Sequence, residues 1–114
     1  MPSSIPCDPG TVVFVRIQFS DGGDVKNRPA VILSVPEYHE QHPDAIMVAL
    51  TTNADHHYGD CFLDDWRSAG LPKPAKAKAF LATVDRATFE RKVGVLSQGD
   101  FQRVRESIRL VLGF

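Results

Sequence analysis

Asn27-Arg28-Pro29-Ala30-Val31-Ile32-Leu33-Ser34 is the stretch on which the reading of this chain turns. An arginine directly before a proline is kept out of helical geometry, because the proline ring crowds the preceding residue into an extended conformation. The apolar run 30–33 then reads as a buried strand. A guanidinium is thereby placed where a polar loop gives way to a rigid element. Arginine keeps its charge at any working pH and presents a planar fork of donors, so such a position suits an anion.

The segments on either side read as further strands. Residues 11–19 alternate, with Val13, Val15, Ile17 and Phe19 on one face and Arg16 and Gln18 on the other, which is the pattern of a half-buried strand. The loop 20–27 is too long for a tight hairpin, and Gly22-Gly23 makes it a candidate lid. After the strand 30–35 comes a loop, 36–44, carrying His39 and His42. A third strand, 45–51, ends in the hydroxyls of Thr51 and Thr52. Residues 59–63 read as a short fourth strand, 64–69 as a helical turn stopped by Gly70 and Pro72, and 76–83 as a fifth strand weakened by its alanines. A short helix is expected over 87–92. The last element is a helix in which Ser97 caps, Asp100 stands in for the capping-box acid, and Phe101, Val104, Ile108 and Val111 form one apolar stripe.

No helix separates the first three strands, which excludes a doubly wound parallel sheet. The order predicts a mainly β fold, a small and strongly curved antiparallel barrel with helical additions. At 114 residues the chain reads as one domain, with a flexible lead-in at 1–9, a barrel core at 10–83 and a C-terminal helix at 97–112.

Composition is ordinary for a globular protein, 43% apolar and 24% charged. No run is long enough to span a membrane. The first residues carry neither a basic start nor an apolar stretch, so a cytoplasmic location is expected. Cys7 and Cys61 then read as reduced thiols. The net charge of −1 argues against a general nucleic-acid binder and leaves room for a local basic groove. Lys73, Lys76 and Lys78 cluster. Arg86, Arg91, Lys92, Arg103, Arg105 and Arg109 fall late in the chain, as a solvated helix face or as a binding patch.

Arg28 and Thr51 form the central pair. If the second and third strands are antiparallel neighbours, the start of one lies beside the end of the other. A guanidinium and a hydroxyl converging there suit a phosphodiester: the first stabilises transition-state charge, the second orients the phosphate. The histidines at 39, 42, 56 and 57 have the intrinsic pKa for proton transfer, and His56 and His57 follow the threonines closely, as rim residues or as solvated loop residues. Asp55, His56, His57 and Cys61 lack metal-ligand spacing, and no cofactor is expected. Tyr58 and Trp66 read either as base-stacking aromatics or as core.

Taken in order, the strand 10–15, Arg28-Pro29-Ala30, Thr51-Thr52, and Ala82-Thr83-Val84-Asp85-Arg86 leading to 91–97 resemble the MazF/PemK toxins of type II toxin–antitoxin systems. The resemblance runs from about Gly10 to the C-terminus. It implies an SH3-like barrel with a C-terminal helix (the CcdB/PemK-like fold), a homodimer, and an antitoxin partner whose disordered segment folds over the groove. It also implies an mRNA interferase, a metal-independent endoribonuclease. This enzyme cleaves single-stranded RNA by attack of the substrate's own 2′-hydroxyl, with Arg28 and Thr51 as catalytic residues and Thr52 in support. Lys26, Asn27, Lys73, Lys76 and Lys78 are then expected at the RNA backbone. Several relatives carry an arginine and an acid on the strand before the Thr-Val-Asp segment. Here Lys76 or Lys78 supplies charge and nothing replaces the acid. That departure keeps open a second reading, a non-catalytic protein on the same fold that binds a gyrase-like target, RNA or an antitoxin.

Overall fold

Strands rich in valine and isoleucine build the sheet, as their branched side chains favour. The computed structural model of the chain describes residues 5, 7–18 and 25–114. β1 (Thr11–Ile17) pairs antiparallel with β2 (Lys26–Ile32), placing Phe14 opposite Pro29 and Val15 opposite Arg28. β2 pairs with β3 (Asp44–Thr51), Ala30 opposite Ala49. β3 in turn pairs with β5 (Lys76–Asp85), Thr51 opposite Lys76. β4 (Cys61–Phe62) lies on the outer side of β5, and β6 (Arg91–Val95) on the outer side of β1. The order is β4-β5-β3-β2-β1-β6, a curled antiparallel half-barrel with its two edges at β4 and β6. The expected barrel with a terminal helix, α2 (Gln98–Leu112), is what the chain forms.

Both faces of the central strands are covered. One cluster joins Val12, Val31, Val48 and Leu50 to Leu63, Leu71, Leu96 and Val104 of α2. The other joins Val13, Val15, Ile17, Ala30, Ile32 and Met47 to Phe89. Alternation in β1 therefore separates two buried sets rather than an inside from an outside.

Several elements differ from the sequence expectation. Residues 36–41, expected as loop, form a short helix, α1 (Pro36–Gln41), whose proline sits in the first turn, where its fixed φ helps and its missing N–H costs nothing. β2 begins at Lys26, because β1 runs on to Ile17 and offers partners to Lys26 and Asn27. Arg28 is thus inside the strand rather than at its head. The helix expected over 87–92 is a single 3-10 turn, Arg86–Thr88, capped by Asp85 accepting from the Ala87 N–H. The Glu90 N–H then donates to the Phe14 carbonyl, and the chain continues along β1 as β6, a sixth strand. Residues 66–70 form a hydrogen-bonded turn in which the Leu71 N–H reaches the Trp66 carbonyl at 3.1 Å. Ser97 caps α2 as expected, accepting from the Asp100 N–H. The buried Asp100 carboxylate accepts instead from the N–H groups of Asp64 and Asp65 (3.0 and 2.8 Å) and from Arg103, pinning the turn to the helix. The apolar stripe ends at Ile108; Val111 is exposed.

Phe19, the expected Gly22-Gly23 hinge, and residues 1–4 and 6 of the lead-in lie outside the described residues. Among those described, no helix is long and apolar enough to cross a membrane.

The turn and β6 approach so closely that glycine is required on both. A Cβ on Gly94 would lie 2.2 Å from the Ala69 carbonyl oxygen, and one on Gly70, whose φ is +84°, 2.2 Å from the Val93 oxygen. Gly94→Ala is expected to destabilise by about 1–3 kcal/mol through forced backbone shifts. Gly99→Ala, on α2 with nothing within 4 Å, is expected to gain about 0.5–1 kcal/mol. Urea midpoints at constant slope check both.

Candidate active-site cleft

The β2–β3 ladder stops at Ala30 and Ala49. One residue further along β2 is Pro29, which has no N–H to donate. Extending the register by two residues sets Arg28 opposite Thr51, so the two share one end of the sheet. A cleft of about 280 Å³ opens there, lined by Lys26, Asn27, Arg28, Thr51 and Thr52, by Lys73 with the turn at Gly70-Leu71-Pro72, and by Phe14, Leu50, Ala75, Arg91 and Val93. Arg28, Thr51, Thr52, Lys26, Asn27 and Lys73, all singled out from the sequence, are therefore brought together.

Local bonding orients the hydroxyl. Thr51 Oγ1 accepts from the Asn53 N–H at 3.2 Å, which leaves the hydroxyl proton to donate elsewhere. Lys26 and Asn27 are exposed at the start of β2, and Arg28 is half-buried. Arg91 rises from β6 with its guanidinium 4.3 Å from the centroid of the Phe14 ring. Among the described residues the cleft thus carries four cations, Lys26, Arg28, Lys73 and Arg91, and no carboxylate. In a chain of net charge −1 this is a local concentration of positive potential, of the kind that draws an anionic ligand.

Two expected cations are not there. Lys76 is buried, its side chain 3% exposed, and its ammonium pairs with Asp60 at 2.7 Å while donating to the Asp55 carbonyl. Its expected place at the RNA backbone is corrected: β5 turns this residue inward, where an ammonium must be paired. Lys78 is half-buried on β5 and does not line the cleft. The histidines are elsewhere too. His56 stacks on Phe62 with centroids 5.7 Å apart, and His57 lies 3.7 Å from the Asp60 carboxylate. His42 stacks on Tyr38. His39 Nε2 is 2.7 Å from Ser34 Oγ, and burial, then the Arg86 charge, holds its pKa below the ordinary value. Trp66 packs against the first core cluster, and Tyr58 is exposed.

The late arginines divide. Arg103 pairs with the buried Asp100 and with Asp64, and Arg109 with Glu106 on the solvated face of α2. Arg86 donates to the carbonyls of His39, His42 and Pro43. Arg91 alone of the set joins the cleft. The sequence reading missed its role because it placed 87–92 on a helix; the alternation of Val93 and Val95 around Gly94 was the available strand signal. Cys7 and Cys61 are free thiols, and burial pushes both pKa values up. Among the described residues, no group of three or more histidines, cysteines or acids gathers as a metal site.

The same arrangement of elements is found in known proteins. The chain is similar to MazF (Form-I) from Deinococcus radiodurans, with TM-score 0.78, 19% identity, and coverage of 98% of this chain and 100% of that one. It is similar to an endoribonuclease in complex with its cognate antitoxin from a mycobacterial species, with TM-score 0.77, 15% identity, and coverage of 94% and 95%. It is also similar to Mycobacterium tuberculosis toxin MazF-mt6, with TM-score 0.74, 17% identity, and coverage of 91% and 97%. At these identities the likeness is one of fold. No curated protein sequence matches the chain. The family model described as the PemK-like, MazF-like toxin of type II toxin–antitoxin systems, however, matches residues 8–112, and with nearly the whole chain covered, the protein belongs to that family.

Proposed function

We propose that this chain is a toxin-like, metal-independent endoribonuclease. It acts in the cytoplasm on single-stranded RNA, mRNA in particular, as a homodimer restrained by a cognate antitoxin. The observation that carries the reading is the cleft in which Arg28 and Thr51 meet among four cations and no described carboxylate. The polyanion is attracted by Lys26 and Lys73, Asn27 offers its amide N–H groups to the backbone, and Arg28 and Thr51 address one phosphodiester. The 2′-oxygen of the substrate attacks the adjacent phosphorus and its proton leaves to solvent. The bond to the 5′-oxygen breaks, and that oxygen takes up a proton. The products are a 2′,3′-cyclic phosphate and a 5′-hydroxyl end. Arg28 donates to the non-bridging oxygens as charge builds on them. Thr51 donates its hydroxyl proton to hold the phosphate in line, with Thr52 in support. The nucleophile comes from the substrate, so the step needs no metal, and the chain contributes positioning and charge.

Further support comes from the fold shared with a protein described as an endoribonuclease bound to its antitoxin. Labelled single-stranded RNA incubated with the purified protein in EDTA tests the reading. New 5′-hydroxyl and cyclic-phosphate ends are expected. RNA that is bound and stays intact at high protein concentration would replace the enzyme with the non-catalytic binder.

A further inference from the structure

The cleft is lined by two chemically different sets of side chains. The phosphate chemistry uses Arg28, Thr51 and their polar neighbours. The apolar set is exposed Pro72 and half-buried Phe14 and Val93, backed by the buried Leu50 and Leu71, and gives nothing to a phosphate. Arg91 lines the same cleft. Phe14 pairs with Pro29 on one side and with Arg91 on the other, so β1 lies between Arg91 and the strand of Arg28. Neighbouring strands are about 4.8 Å apart, which puts the two backbones roughly 10 Å apart. Arg28 and Arg91 are therefore set for different parts of a ligand. The contact with the Phe14 ring, at 4.3 Å, holds the guanidinium in place, and arginine forks held in this way bind at a smaller entropic cost.

We propose that the apolar lining of this cleft forms a nucleobase pocket. It takes one unstacked base next to the phosphodiester held by Arg28, and Arg91, steadied by Phe14, reads the edge of that base. This rests on the nuclease reading for the placement of the phosphate. A base has a flat apolar face that Pro72 and Val93 can cover, and a polar edge that needs partners. The whole cleft, about 280 Å³, lies just below the usual range for ligand pockets and is shared between the phosphate and one planar ring system. Arg91 has donors only. It therefore favours guanine, whose O6 and N7 are adjacent acceptors, over adenine, whose matching edge carries an amino donor.

The test uses the full chain and 2′-deoxy oligonucleotides, which lack the attacking hydroxyl and remain intact. Short deoxyuridine strands carry one guanine, one adenine or one abasic position, and Kd is measured at fixed salt. Wild type is expected to bind the guanine strand about tenfold or more tighter than the abasic one, and about tenfold tighter than the adenine strand. Arg91→Gln is expected to erase the preference for guanine over adenine. Arg91→Lys, which keeps the charge and loses the fork, is expected to weaken it while holding the abasic strand as wild type does. Equal binding of the three strands by wild type, no binding at all, or an equal loss on every strand in Arg91→Gln overturns the pocket; the last would make Arg91 a phosphate contact. The matching ribo-oligonucleotide in EDTA reads the nuclease separately. Guanine preference without cleavage keeps the pocket and removes the enzyme, and cleavage without base preference does the reverse.

Discussion

Replacing Lys76 by methionine is expected to lower stability by about 3–5 kcal/mol, because it strips the partner from a buried carboxylate. Lys76 and Asp60 side chains are both 3% exposed and 2.7 Å apart. Asp60 also accepts from the His57 N–H at 2.9 Å, and the ammonium donates to the Asp55 carbonyl. Residues 52–58 are exposed throughout, so no apolar anchor holds this loop and the buried cation is what organises it. Such a loss is a large part of the roughly 5–15 kcal/mol total of a domain this size, and about 15 °C in Tm. Calorimetry and urea titration check it. Lys76→Met combined with Asp60→Leu removes both charges and is expected to recover much of the loss. An unchanged midpoint in the single variant would show the pair to be dispensable.

The acid limb carries the same signature. Burial pushes the Asp60 carboxyl up, but the Lys76 ammonium and the N–H groups of His57 and Ala79 outweigh it and hold the pKa below the ordinary value. The stabilisation is therefore complete above the unfolded aspartate pKa of about 3.9 and is lost as pH falls through the lower folded value. In Lys76→Met the burial cost is no longer offset by the ammonium, so acid unfolding is expected to begin at higher pH than in wild type.

Arg28→Ala is expected to cut the rate of RNA cleavage about 10²–10³-fold, the usual effect of deleting a donor to developing negative charge. Single-turnover cleavage of labelled RNA measures it, with protein above Kd so that weaker binding does not enter. Arg28→Lys restores a charge without the fork and is expected to recover part of the rate. Thr51→Val keeps the strand-forming shape and removes the hydroxyl, with an expected loss of about tenfold or more. The two largest expected effects are separable. Lys76→Met acts first on the melting temperature, and Arg28→Ala acts on the chemical step. Wild-type cleavage by Arg28→Ala would remove this residue from the mechanism.

Arg28, Thr51 and the terminal helix could be found from the chain alone because their signals are local. A proline constrains its neighbour, a β-branched run forms a strand, and a serine caps a helix. Arg91 and Lys76 could not. β6 is a strand because β1 offers it an edge, a pairing between distant parts of the chain. Lys76 looks like any surface cation until the pairing of Thr51 with Lys76 and of Phe62 with the same residue turns it inward toward Asp60. Asp100 reads as part of its own helix cap, whereas its carboxylate bonds to the N–H groups of Asp64 and Asp65, which only the packed structure brings near. In each case the misread residue is a charged group whose partner is remote in sequence.

The pairing of β1 with β6 also sets an order of events during synthesis. β1 leaves the ribosome well before β6, and its outer edge stays open until β6 follows. A nascent chain that has not yet presented Arg91 has an unfinished wall and an open strand edge.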